Sequence, residues 1–361
     1  MSTHPYKNRP DFTDWRKAIE TVCPGEVDPV VAFPFRITAE DKVATAGSCF
    51  AQHIARHLSQ HGLRYFVAEP AHPFLRRELA AEYNYGTFSC RYGNLYTTRQ
   101  LVQLFDRAYG QFSPLEDVWP EADGRLIDPF RPRIQPGGFA TMAEYQADRK
   151  QHFAAVRAMF EQLDYFVFTL GLTECWRLRQ DGAVFPLCPG VSGGTFDPER
   201  HEFVNLGVED VTSDIEAFLT RLASVNPRAK VIFTLSPVPL VATAEPRHVL
   251  VSTTLSKAVL RVACDVITRR HAHVAYFPSF EIITGAYARG RYFDADVRSV
   301  KEAGVRHVMR LFFQHGTTVV VPARGVQTPE AAVQDDAASD AFLAKLQEVV
   351  QVICDEEALR S

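Results

Sequence analysis

Two adjacent side chains able to act as nucleophiles, Ser48 and Cys49, sit in the stretch Thr45-Ala46-Gly47-Ser48-Cys49-Phe50-Ala51, where small residues separate an apolar run from an amphipathic one. A thiol attacks carbonyls as the thiolate and needs less help from a base than a hydroxyl does, its free pKa being about 8.5. The amino end of a helix supplies free N–H groups and partial positive charge, which favour a thiolate or an oxyanion beside it. Taken alone, Cys49 reads first as a small buried hydrophobe and Ser48 as a helix cap. The surrounding elements decide between these readings.

The run Asp41-Lys42-Val43-Ala44-Thr45-Ala46 is short and bounded like a buried strand, and Ile54, Ala55 and Leu58 recur with helical spacing between Gln52 and Leu63. Val43 to Val67 therefore reads as strand, turn, helix and strand. A helix from Phe153 to Leu163 leads into the apolar run Tyr165 to Leu170, which delivers Gly171-Leu172-Thr173-Glu174. A second helix, Asp214 to Ser224, leads into Lys230 to Leu235 and then Ser236-Pro237-Val238-Pro239. A third, Ser256 to His271, precedes Val274 to Pro278 and the loop Ser279-Phe280-Glu281. This alternation predicts an open, mostly parallel sheet with helices on both faces. Ligands bind such sheets outside the carboxyl ends of the strands, where residues 47–49, 171–174 and 236–239 converge.

The chain has 361 residues, 46% apolar and 23% charged, with a formal net charge of −4 from interspersed acids and bases. That balance argues against a nucleic-acid partner and carries no footprint for an anionic membrane. The opening residues are polar, no later stretch has the length of a membrane span, and a cytoplasmic location is expected. Seven cysteines, at 23, 49, 90, 175, 188, 264 and 354, are scattered with no C-x-x-C pair, which predicts reduced thiols and no metal site. The expected organisation is an arm over 1–40, with Phe33 and Phe35 as apolar anchors, and a main domain over 41–320. Insertions fall near 110–150 and 177–205, and a tail over 321–361 carries an amphipathic helix from Ala341 to Ile353. A homo-oligomer is compatible with this pattern, although the tail helix is expected to pack on its own domain.

Gly47-Ser48-Cys49-Phe50-Ala51 resembles the signature of the GSCFA family, a branch of the SGNH/GDSL-like hydrolases and acyltransferases. Residues 92–97, Gly171-Leu172-Thr173-Glu174-Cys175-Trp176, Ser236-Pro237-Val238, Ser256-Lys257 and the segment from Asp294 to Val308 resemble later family blocks in order. The resemblance implies a flavodoxin-like three-layer α/β/α sandwich. Aligned with the superfamily's G-D-S-F block, Cys49 takes the nucleophile's place, and Ser48 is the competing nucleophile. The second block implies an oxyanion-hole glycine, Gly93 followed by Asn94, with Gly86 as second choice. The third, G-x-N-D, is here Gly171-Leu172-Thr173-Glu174, so a Thr173 hydroxyl replaces the amide while Glu174 is left to orient a histidine or read an acceptor hydroxyl. In the last, D-x-x-H, Ser299 of Asp296-Val297-Arg298-Ser299 stands in the histidine's place. His248, after a strand end, and His307, inside a helix, are the substitute bases, with His248 preferred.

The expected activity is acyl-ester chemistry: Cys49 attacks, Gly93 and the Cys49 N–H hold the oxyanion, and His248 moves the proton. Gly171, Ser236 and Lys257 would line the substrate site, and Lys257, Arg247, Arg291 and Arg298 are able to meet an acyl donor's phosphates or a charged glycan. An O-acyltransferase acting on a sugar or glycan precursor comes first and an SGNH-type esterase or thioesterase second. No cofactor is required, and acyl-CoA or another acyl donor would be a substrate. The third reading is a non-catalytic carbohydrate-binding accessory protein of polysaccharide biosynthesis, with Trp176, Tyr92 and Tyr96 stacking on sugar rings.

Overall fold

The computed structural model describes residues 4–319 and 355–360. Its centre is a four-stranded parallel sheet in the order β1-β4-β8-β9, formed by Val43–Gly47, Tyr165–Leu170, Lys230–Leu235 and Val274–Phe277. Every residue of β1 and β4 is buried, so both strands read as continuous apolar runs rather than alternating ones. Side chains still alternate between faces. Phe166, Phe168 and Leu170 join one core with the helices α3 (Thr98–Ala108), α4 (Met142–Gln162), α5 (Val208–Val225) and α6 (Val249–Arg270). Tyr165 and Val167 join the other, with α1 (Phe50–Gln60), α7 (Ser279–Thr284) and α8 (Glu302–Gly316). The result is the expected three-layer α/β/α sandwich.

Details differ from the sequence reading where local pattern is weak. The strand expected up to Val67 is reduced to a bridge between Tyr65 and Val43, because the chain touches only the amino end of β1 before leaving. Within 177–205, and reaching back to Glu174, lies a three-stranded antiparallel sheet, β6-β5-β7, made of Val184–Phe185, Glu174–Leu178 and His201–Asn205. Strands this short and half-exposed give little periodicity to read. The 110–150 insertion holds the short pair β2 (Trp119–Pro120) and β3 (Leu126–Ile127) and then the first turns of α4. That helix starts earlier than its apolar residues suggest, because Thr141 caps it by accepting from the Glu144 N–H at 3.1 Å and its early turns are polar. The short helix α2 (Arg77–Glu82) precedes the loop that carries Gly93.

In the amino-terminal arm Phe35 is buried and Ile37 N–H donates to Gly316 O at 2.8 Å, tying the arm to the end of α8. The tail helix expected over Ala341 to Ile353 lies outside the described residues. Among the described residues no helix is long and apolar enough to cross a membrane.

Candidate active site

Gly47 ends β1 with φ 133°, a region open to glycine alone, and a Cβ there would meet Thr169 O at 2.3 Å. This glycine lets β1 approach β4 closely while turning the chain out of the sheet. Ser48 N–H then donates to Thr169 O at 3.0 Å, and Leu95 N–H donates to Gly47 O at 2.9 Å, so the turn is held on both sides. Cys49 follows as the first residue before α1.

Three strand ends meet here. Ser48, Cys49, Gly171, Leu172, Ser236 and Pro239 line one crevice together with Tyr96. Cys49 is only 3% exposed. Glu356 also lines the crevice. Ser48 is buried, and its Oγ has no hydrogen-bond partner among the described residues. Gly171 leaves it room, since a Cβ there would come within 3.0 Å of Ser48 Cβ.

Helix α6 holds the 171–173 turn through two consecutive side chains. Ser256 Oγ accepts from Thr173 N–H at 3.0 Å, and Lys257 Nζ donates to Gly171 O at 2.6 Å. Burial lowers Lys257 to about 8, with Arg298 acting in the same direction and the negative charges of Glu356 and a Cys49 thiolate opposing it. Thr173 Oγ1 is turned away, donating to Asn205 Oδ1 at 2.7 Å. Glu174 accepts from Thr243 Oγ1 at 2.7 Å and is raised by burial, and neither histidine candidate is its partner. Ser236 N–H donates to Leu170 O at 2.8 Å.

Neither substitute histidine is brought to Cys49. His248 is exposed and caps α6, its Nδ1 accepting from Leu250 N–H at 3.1 Å. His307 is buried in α8, on the side turned to the amino-terminal arm. Its Nε2–H donates to Val27 O at 2.9 Å and its Nδ1 accepts from Tyr292 OH at 2.8 Å, while burial lowers it to about 4. Ser299 donates to Asp296 Oδ2 at 2.6 Å, closing a tight turn.

Gly93, with φ 69°, and Asn94 border a neighbouring cleft also lined by Gln52, Arg131 and Arg133. Asn94 is buried, accepting from Gln52 Nε2 of the first turn of α1 at 3.2 Å and donating to Asp355 Oδ2 at 2.8 Å. Gly86, also at positive φ, is not among the residues lining either cleft. The Gly93-Asn94 loop hangs from a buried polar network. Arg91 N–H donates to Glu69 at 2.7 Å, and the Arg91 guanidinium reaches Tyr83 O, Ile134 O and Asp148. Arg131 bridges Asp128 and Asp148, and His152 meets Glu69 at 2.7 Å. Burial opposes the Glu69 charge, but His152, Arg131 and the Arg91 N–H outweigh it and hold the carboxyl well below its usual range. Tyr92 donates to Thr45 O and is therefore engaged in the core, unavailable to stack on a sugar.

The residues that sequence reasoning missed come from the far carboxyl end. Asp355–Arg360 forms a short turn laid across both clefts. Asp355 N–H donates to Tyr96 OH at 3.1 Å, and Glu356 accepts from Arg298 Nη2 at 2.9 Å. Burial raises both carboxyls. In sequence, Asp355-Glu356-Glu357 reads as a solvated acidic end, and nothing local says otherwise.

A parallel sheet between helical layers, with the Ser48-Cys49 turn after its first strand and a crevice at the strand ends, places the chain among three-layer α/β proteins whose site is built by loops. A family model described as the GSCFA family matches residues 42–312, and the chain belongs to that family. Among solved structures, a mutant acetyl esterase with acetate ion is 11% identical, with a TM-score of 0.30, 75% of this chain covered and 93% of that one. The acetyl xylan esterase Est2A from the rumen bacterium Butyrivibrio proteoclasticus is 13% identical, with a TM-score of 0.25 and 66% and 55% covered. No curated protein matches the chain.

Proposed function

We propose that this chain is an acyl-ester enzyme in which Cys49 is the nucleophile and Lys257, rather than a histidine, handles the proton. The observation that carries the reading is the shared burial of Cys49 and Lys257 at the carboxyl ends of the strands, with Lys257 lowered to about 8. A lysine tuned into this range exists partly as the neutral amine that a general base must be. Neutral Lys257 takes the thiol proton as Sγ bonds to the acyl carbon. The carbonyl electron pair moves onto oxygen, facing the N–H groups of Cys49 and Gly93, with the Asn94 amide joining once Asp355, to which it donates in this structure, gives way. Collapse expels the leaving oxygen or sulfur with the lysine proton and leaves a thioester on Cys49. An acceptor hydroxyl then attacks, Lys257 takes its proton, and the thiolate departs and is reprotonated.

The acceptor is read first as a sugar hydroxyl, making the enzyme an O-acyltransferase on a glycan precursor. The low exposure of Cys49 favours a bound acceptor over bulk water. Hydrolysis of an ester or thioester is the second reading. The donor, acyl-CoA or another activated ester, is a substrate, and the steps draw on no other group.

The test is intact mass of wild type, Cys49→Ala and Ser48→Ala after exposure to acyl-CoAs and activated acyl esters, with product release followed with and without simple glycosides. An adduct or turnover lost only in Cys49→Ala is expected. Loss only in Ser48→Ala returns the nucleophile to serine, and no adduct across the panel transfers weight to a carbohydrate-binding relative. Lys257→Met should slow acylation by roughly 10²–10⁴ and remove an inflection near pH 8 from its pH profile.

A further inference from the structure

Arg298 is buried beside the nucleophile's crevice and is aimed there by an unusual turn. Asp296 Oδ1 accepts the N–H groups of Arg298 and Ser299, each at 2.9 Å, and Val297 between them adopts φ 55°. A β-branched residue in the left-handed region is an outlier, so the surrounding bonds impose this conformation. The guanidinium that results donates from Nε to Pro239 O at 3.2 Å, at the rim of the strand ends, from Nη2 to the buried Glu356 at 2.9 Å, and more loosely from Nη1 to the exposed Glu357 at 3.4 Å. Glu356 is therefore a carboxylate held by a buried cation in the same crevice as Cys49, with the charge of Lys257 also acting on it.

Its neighbour Asp355 lies in the adjoining cleft. It accepts from Asn94, a donor of the proposed oxyanion site, and stands 3.9 Å from Arg133. These two residues thus line the Cys49 crevice and the Gly93-Asn94 cleft respectively. Buried ion pairs contribute little net stability compared with apolar packing, so stability alone does not account for two carboxylates inside a crevice.

We propose that Arg298 is a carboxylate-binding subsite next to Cys49, occupied in this structure by the chain's own Glu356, and that the natural substrate presents a carboxylate or comparable acidic group to it. The turn at 355–357 then acts as an internal competitor that an acidic substrate displaces. This rests on the reading of Cys49 as nucleophile only for the subsite's purpose; the subsite itself is tested without turnover.

The experiment compares two alkylating reagents of nearly equal size and opposite charge status, neutral iodoacetamide and anionic iodoacetate, on full-length wild type, Glu356→Ala, Glu356→Gln and Glu356→Ala with Arg298→Met. Modification of Cys49 is followed by peptide mapping, because Cys23 is exposed and reacts independently. In Glu356→Ala the iodoacetate-to-iodoacetamide rate ratio at Cys49 should rise about tenfold over wild type, as expected for one recovered charge-assisted pairing. Free glutarate should suppress that rise, and Arg298→Met should abolish it. Glu356→Gln keeps the side chain's shape and should give a smaller rise, separating the lost charge from local unfolding. An unchanged ratio, no protection by glutarate, or a Cys49 inert to both reagents in Glu356→Ala each overturns the proposal. So does a Glu356→Ala enzyme that loses ester turnover with no rise in ratio, since Glu356 would then be a working part of the site. Failure of the acyl-enzyme reading alone would leave the ratio change intact.

Discussion

Replacing Gly47 by alanine puts the β1–β4 contact to a quantitative test. The new methyl carbon would lie 2.3 Å from Thr169 O, 2.7 Å from Thr169 N and 2.9 Å from Thr169 C, all backbone atoms of a fully buried strand and none able to swing aside. Forcing a φ of 133° on a residue with a Cβ adds strain of roughly 1–3 kcal/mol. Overpacking against fixed backbone adds about 1–3 kcal/mol more. Gly47→Ala should therefore lose about 2–6 kcal/mol, read as a shift in urea midpoint at unchanged slope. The strands must part to admit the methyl, so Ser48 N–H should leave Thr169 O, and acylation of Cys49 should fall even under conditions where the variant is fully folded. A loss below about 1 kcal/mol would show that the turn relaxes cheaply and would refute the close-approach argument.

Three further outcomes follow from the geometry. His53 and His307 are both held neutral down to about 4 by burial, so the unfolded chain binds protons first as pH falls below 6.5. Stability is then complete above that point and is lost between pH 6.5 and 4 by roughly 2–3 kcal/mol per histidine, and a flat urea midpoint across that window would contradict it. His248→Ala removes only a helix cap and should cost about 0.5–1 kcal/mol with acylation unaffected, whereas a hundredfold slower acylation would restore the histidine as base. Asn94→Ala should lower kcat by roughly 10² with KM little changed, as loss of one oxyanion donor does, and an equal loss from KM alone would make Asn94 a ground-state contact.

The sheet was legible because β1, β4, β8 and β9 are short, mostly apolar and bounded, and because each hands a small or polar turn to its carboxyl end. Convergence of 47–49, 171–172 and 236–239 follows from that topology alone. What escaped was the identity of the groups around the nucleophile. A histidine's sequence context says little about which layer its helix faces: His307 follows a helical pattern, and that helix packs against the amino-terminal arm. Thr173 and Glu174 stand at a strand end, yet β7 and the 243–245 loop claim their polar atoms. Lys257 was legible as a site residue only through the family block, since a lysine in a helix is ordinarily solvated. Glu356 had no sequence signal, because its role depends on Arg298, more than fifty residues upstream.

The polar network behind the Gly93-Asn94 loop limits how this protein can diversify. Arg131 and Asp148 belong to the decorated stretch over the sheet edge, the region where substrate preference would ordinarily change by insertion and deletion. Here the same two residues secure Arg91, and through it the backbone of the Gly93-Asn94 loop. Insertion and Gly93-Asn94 loop are thus one mechanical part. A graft of that stretch from a relative would transmit its altered shape directly to Gly93 and Asn94 unless the arginine–aspartate pair came with it, so new acceptor preferences in this chain should arise by point substitution within the insertion more readily than by exchange of it.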